Sequence, residues 1–126
     1  MQRFDLPDPL FIDGEALVID KPAGLPVGTP RRGGQSVDDM LEHLRFGFQR
    51  PPVPVHRLDQ DTSGCLLLAR NPKAMKRFQQ AFENRQVTKS YIGVVLGRPD
   101  GDKGTIDRPI DKVSTKESGW RMVIGE

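Results

Sequence analysis

Residues 56–64, His56-Arg57-Leu58-Asp59-Gln60-Asp61-Thr62-Ser63-Gly64, gather an imidazole, a guanidinium and two carboxylates into one short stretch of a 126-residue chain. If the segment around Arg57 is extended, side chains alternate. Arg57 and Asp59 then project from one face, and His56 and Leu58 from the other. A guanidinium beside a carboxylate favours its ionised form. An ionised carboxylate can act as a nucleophile or stabilise a cation at an anomeric carbon. The following Asp61-Thr62-Ser63-Gly64 has the side-chain acceptors and the glycine of a tight turn, which would fix the backbone just beyond Asp59. The same Arg-x-Asp pair also reads as a surface ion pair at a strand end, contributing roughly 0–1 kcal/mol. Two other chemistries fit poorly. A kinase catalytic loop places Asp directly after Arg, and here Leu58 intervenes. A two-carboxylate glycosidase could draw on Asp59 and Asp61, but residues two apart sit too close unless the turn splays them.

Several elements must position that stretch. Ala16-Leu17-Val18-Ile19 is a short apolar run closed by Pro22 and Gly24, which reads as a strand and a turn. Gly28-Thr29-Pro30-Arg31-Arg32-Gly33-Gly34-Gln35 is a glycine-rich basic loop without the lysine and spacing of a P-loop. Ser36 predicts a helix start, with Asp39 three residues on as in a capping box. Val37, Met40, Leu41 and Leu44 supply its inward stripe, and Gly47 with Pro51-Pro52 ends it. After the nonapeptide, Leu66-Leu67-Leu68 predicts a strand buried on both faces, with Cys65 as a small buried hydrophobe. Asn71-Pro72 predicts the next helix. That helix has Met75, Phe78 and Phe82 on one face, and its lysines and Arg77 fall largely on the other. The alternation over residues 87–97 predicts another strand, and residues 120–124 the beginning of a last one whose partner is not evident.

Composition narrows the classes. Hydrophobic residues are 36% and charged residues 29%, which suits one globular domain rather than a disordered tail. No apolar run approaches the roughly 18 residues that cross a membrane, and the N-terminus lacks a signal pattern. Cytoplasmic residence is the expectation. One cysteine and two scattered histidines, His43 and His56, give no metal set, so no metal and no cofactor are expected. Charge is uneven. Residues 70–98 hold seven basic side chains (Arg70, Lys73, Lys76, Arg77, Arg85, Lys89, Arg98) against one acid, Glu83, in a chain of net charge +2. That excess reads either as a footprint for a polyanion or as a solvated basic helix.

The motif His-Arg-Leu-Asp-x-x-Thr-Ser-Gly, followed here by Leu66-Leu67-Leu68-Ala69-Arg70, resembles the signature of the RluA-type pseudouridine synthases. Residues 16–27, with Lys21-Pro22-Ala23-Gly24, are similar to that family's early strand and turn. Residues 78–97, with Arg85-x-Val87-x-Lys89-x-Tyr91, resemble its helix and following strand, and residues 103–110 a later segment. The resemblance covers roughly residues 10–125. It implies an α+β domain, a mixed and largely antiparallel sheet flanked by helices, spanning residues 1–126 as a single domain incomplete at its C-terminus. A family segment of the form Gly-Arg-Thr/Ser-His-Gln-Ile/Leu-Arg is not found here.

The implied activity is isomerisation of uridine in structured ribosomal or transfer RNA to pseudouridine, without cofactor or metal. Asp59 takes the catalytic position. Arg57 is implied to hold the uridine out of its stack, Tyr91 to stack on the uracil, and Lys89 and His56 to join the substrate-binding group. Lys21, Pro22 and Gly24 shape a neighbouring loop, and Lys73, Lys76 and Arg77 would grip the RNA backbone. Alternative readings are a non-catalytic RNA-binding remnant and a partner-dependent fragment, self-associating through an unpaired strand edge.

Overall fold

The computed structural model describes residues 4–115 and 119–124, for residues 111–115 and 119–123 as backbone only. The chain divides into two compact units, Met1–Lys89 and Ser90–Glu126. In the first, a four-stranded sheet runs in the order β1-β2-β4-β3, where β1 is Phe11–Ile12, β2 Ala16–Lys21, β3 Val53–Pro54 and β4 Gly64–Ala69. Every ladder is antiparallel. The fold is α+β.

The central pair sets the core. Ala16 faces Ala69, Leu17 faces Leu68, Ile19 faces Leu66 and Lys21 faces Gly64. Cross-strand partners share a face, so Leu17, Ile19, Leu66 and Leu68 form one fully buried surface. Leu25, Val27, Val37, Leu44 and Leu58 close over it as a single cluster. Burying each such side chain is worth roughly 1.5–3 kcal/mol. The strand β4 is not buried on both faces, however. Cys65 is exposed and Leu67 half-buried, so the triple leucine follows ordinary alternation and the cysteine is not a core residue.

A helical segment follows Ser36, but its N-cap is Val37 with no side-chain cap bond, so the expected serine cap does not form, and Asp38–Leu44 winds as a 3-10 helix rather than an α-helix. Its first bonds are the i+3 type, from Asp39 N to Ser36 O (3.2 Å) and Met40 N to Val37 O (2.8 Å). The Asp39 carboxylate takes both the Ser36 N–H and its hydroxyl at 3.1 Å. Phe46 and Gly47, both at positive φ, follow it closely, so the run is too short to favour α geometry. Helix α1, Pro72–Glu83, matches expectation: the Asn71 side chain accepts from Ala74 N at 2.8 Å and Pro72 occupies the first position. Its end is a Schellman turn, with Gln86 N bonded to Ala81 O, Arg85 N to Phe82 O, and Arg85 at φ 55°. The helix packs on β4.

The second unit contains one antiparallel hairpin, β5 (Ile110–Thr115) with β6 (Gly119–Ile124). The strand expected at residues 120–124 therefore exists, and its partner is the preceding β5. The strand expected over residues 87–97 does not form. Alternation describes a half-buried strand only where a ladder partner exists, and none is present among the described residues. Ile92, Val94 and Leu96 stand fully exposed there.

Candidate active site

Pro54 is the last ladder residue before the motif. Beyond it Val55 N still donates to Leu67 O (2.9 Å), and then the backbone leaves the sheet. Residues 57–59 belong to no ladder, and a turn follows at 60–61. Exposure still alternates as the sequence suggested. His56 is half-buried, Arg57 exposed, Leu58 in the core and Asp59 exposed. Leu58 thus acts as an apolar peg holding two charged neighbours at the surface.

The backbone after Asp59 is tied from three directions. Thr62 N donates to Asp59 O at 3.0 Å, closing a turn over Gln60-Asp61, two residues before the turn expected at Asp61–Gly64. Gly24 N donates to Gln60 O at 2.8 Å, and the Gln60 side-chain amide returns a bond to Gly24 O at 3.1 Å. Lys21, fully buried, reaches Gln60 O at 3.0 Å while also donating to Pro22 O (2.9 Å) and Leu25 O (2.6 Å). One ammonium therefore joins the turn after β2 to the loop beside Asp59. Burial lowers the pKa of Lys21 from its ordinary 10.5, while the Asp61 and Asp59 carboxylates act to raise it. The backbone at Gly24 favours glycine in that turn, and the space beside it is tight. Its φ is 95°, and a Cβ would lie 3.1 Å from the Phe4 ring.

Arg57 makes no ion pair with Asp59 among the described residues, so the surface-ion-pair reading of the two does not describe this chain. The guanidinium instead lies near Gly28 and borders a cavity of about 280 Å³ shared with Asp38, Val53 and His56. A larger cavity, about 440 Å³, lies between residues 4–9 and the 3-10 helix, and no residue of the motif lines it.

His56 turns toward the sheet. Its Nε2 accepts from Leu67 N at 3.0 Å, and its ring stacks on Phe82 with centroids 5.0 Å apart. Lys89 sits over the same Phe82 ring at 5.5 Å, so Lys89, Phe82 and His56 are brought together. Burial lowers the His56 pKa below its ordinary 6.5. The backbone of Arg57 opposes that shift and Lys89 reinforces it. Tyr91 is exposed and belongs to the second unit.

The basic segment is less uniform than its composition. Arg70 is only 7% exposed. It donates to Asp13 O (2.7 Å), Arg45 O (3.0 Å) and Phe46 O (3.2 Å) and stacks on Phe48, which makes it an internal tie and no part of a surface footprint. Arg77 is paired with Glu15. Lys73 and Lys76 are exposed, with no ion pair among the described residues. Gln60 and Lys21 as mutual anchors were not evident in advance. The available signal was a lysine in the inward register of Leu17 and Ile19. Among the described residues, no three His, Cys, Asp or Glu side chains converge as metal ligands.

Comparison with known proteins gives a consistent result. The family model described as RNA pseudouridylate synthase matches residues 15–123. An uncharacterized RNA pseudouridine synthase of Zymomonas mobilis is 55% identical over 114 residues, covering 90% of this chain and 52% of its own. The tRNA pseudouridine synthase C of Haemophilus ducreyi is 35% identical over 115 residues, 88% of this chain and 47% of that one. The solved human RNA pseudouridylate synthase domain containing 4 superposes with a TM-score of 0.54 at 33% identity, covering 62% of this chain and 30% of that one. The chain thus spans about half the length, or less, of these curated relatives.

Proposed function

The chain belongs to the RNA pseudouridylate synthase family, and from that premise we propose that it contributes the catalytic aspartate of an enzyme that isomerises uridine in structured RNA to pseudouridine. The supporting observation is the built loop around Asp59. Its carboxylate is exposed while the backbone on its C-terminal side is fixed by Thr62, Gly24 and buried Lys21. Preorganisation of that kind is what a group acting on a reacting carbon requires.

Asp59 attacks or deprotonates at the ribose while the N1–C1′ glycosidic bond breaks. The uracil rotates, C5 bonds to C1′, the C5 proton is lost and N1 regains one. Arg57, unpaired with Asp59, is available to take the place of an extruded uridine, which offsets the few kcal/mol that flipping costs. Tyr91 stacks on the uracil, with Lys89 and His56 completing the substrate side. Lys73, Lys76 and Arg77 serve the phosphate backbone, and the substrate is ribosomal or transfer RNA. No helix among the described residues is long and apolar enough to cross a membrane, and we place the activity in the cytoplasm.

Release of tritium from RNA labelled at uridine C5 tests this directly. The chain and its Asp59→Asn variant are compared. Turnover is expected to fall roughly 10²–10⁴-fold in the variant, with RNA affinity within a few-fold. Undiminished release would remove Asp59 from the mechanism. RNA binding without release would favour a non-catalytic RNA-binding protein.

A further inference from the structure

The ladder between β3 and β4 ends in an unusual way. Val53 faces Ala69 and Pro54 faces Leu68, and Val55 N then donates to Leu67 O. An antiparallel ladder would return a main-chain carbonyl to Leu67 N. Here the returning acceptor is the His56 ring, whose Nε2 lies 3.0 Å from Leu67 N. The side chain takes over a ladder position that the backbone has vacated, and the chain is free to turn outward at Arg57 while β4 keeps its amide satisfied. Phe82 of α1 holds the ring from behind, stacked within 19° of parallel.

We propose that His56 is a positioning residue: its neutral imidazole substitutes for the missing strand carbonyl and so fixes the point from which Arg57, Leu58 and Asp59 leave the sheet. This deepens, and rests on, the isomerase reading above, in which His56 was grouped with the residues that touch substrate. An acceptor Nε2 puts the single ring proton on Nδ1. Protonation of Nε2 would set two donors against each other at Leu67 N and expel the ring. Phe82 from α1 and Leu67 from β4 are apolar, Asp38 and Arg57 line the same small cavity as His56, and Lys89 beyond α1 favours the neutral ring. The backbone of Arg57 acts in the opposite sense. Since the folded pKa lies below the ordinary 6.5, this contact is intact above that value and is lost as pH falls through the lowered one.

Two variants and two readouts decide it. His56→Gln keeps an oxygen acceptor at similar reach, and His56→Leu keeps volume without one. In uridine turnover, His56→Leu is expected to lower kcat about ten- to hundredfold with RNA affinity little changed, His56→Gln to recover most of that loss, and the acid limb of the wild-type profile to vanish in His56→Gln. In the 126-residue chain, the Leu67 amide is expected to lose protection against exchange at acid pH relative to its β4 neighbours, and His56→Gln to abolish that dependence. A raised KM at unchanged kcat in His56→Leu would make the ring a substrate contact and overturn the proposal. Leu67 protection that is indifferent to pH would also overturn it. If the wild type releases no tritium at any pH, the isomerase reading fails, and the exchange measurement still decides the role of the ring.

Discussion

Lys21 is the residue on which the loop beside Asp59 depends. It ends β2 in the inward register of Leu17 and Ile19, where a strand ordinarily places an apolar side chain. Its ammonium compensates for burial by donating to three carbonyls, one of them on Gln60, thirty-nine residues away. Lys21→Met retains the stem and removes the donor, leaving Pro22 O and Leu25 O without that partner. Stability is expected to fall by about 2 kcal/mol, read as a shift in the urea midpoint. A variant as stable as the wild type would show that those carbonyls do not need the ammonium. The pH dependence has a definite sign. Because burial holds the folded pKa below 10.5, the unfolded chain binds the proton more tightly. Stability from this group therefore rises as pH passes from the lowered value toward 10.5, and Lys21→Met should lack that rise. The sequence offered the Lys-Pro-x-Gly turn, but not its grip on Gln60. A contact across that separation exists only once β2 and β4 have paired.

At the scale of elements, α1 was legible because its signals are local: an Asn-Pro start, an apolar stripe, and a bonded cap at Asn71. The strand β2 was legible for the same reason. What failed depended on neighbours. Cys65 looked buried because it stands beside three leucines, yet period-2 alternation turns it outward. Arg70 counted toward a basic surface, yet three carbonyls and Phe48 draw it inside. Charge on the helix must therefore be reckoned by side chain. Lys73 and Lys76 have no ion pair among the described residues, whereas Arg77 is already neutralised by Glu15. Lys73→Ala with Lys76→Ala is expected to weaken RNA binding and to reduce the slope of log affinity against log salt by about 1–2. Arg77→Ala should change that slope less than either lysine. An unchanged slope in the double variant would mean that this face of α1 does not meet RNA.

At the scale of the whole molecule, the two units differ in how they use apolar residues. The first closes nine of them into one cluster around β2 and β4. The second leaves Ile92, Val94 and Leu96 fully exposed, with Tyr91 and Val95 also largely so. Spaced two apart, Ile92, Val94 and Leu96 would line one face of a strand, and the backbone around them has no ladder partner among the described residues. An unpaired apolar segment of this kind is a template for pairing with another chain. The 126-residue chain is accordingly expected to self-associate as its concentration rises. Sedimentation over about two decades of concentration would read this as a mass-action shift. Val94→Lys places a charge at the centre of the apolar row and should return the chain toward monomer without altering the first unit's cluster. A wild type that stays monomeric over that range, or an association indifferent to Val94→Lys, would show that these residues do not recruit a second copy.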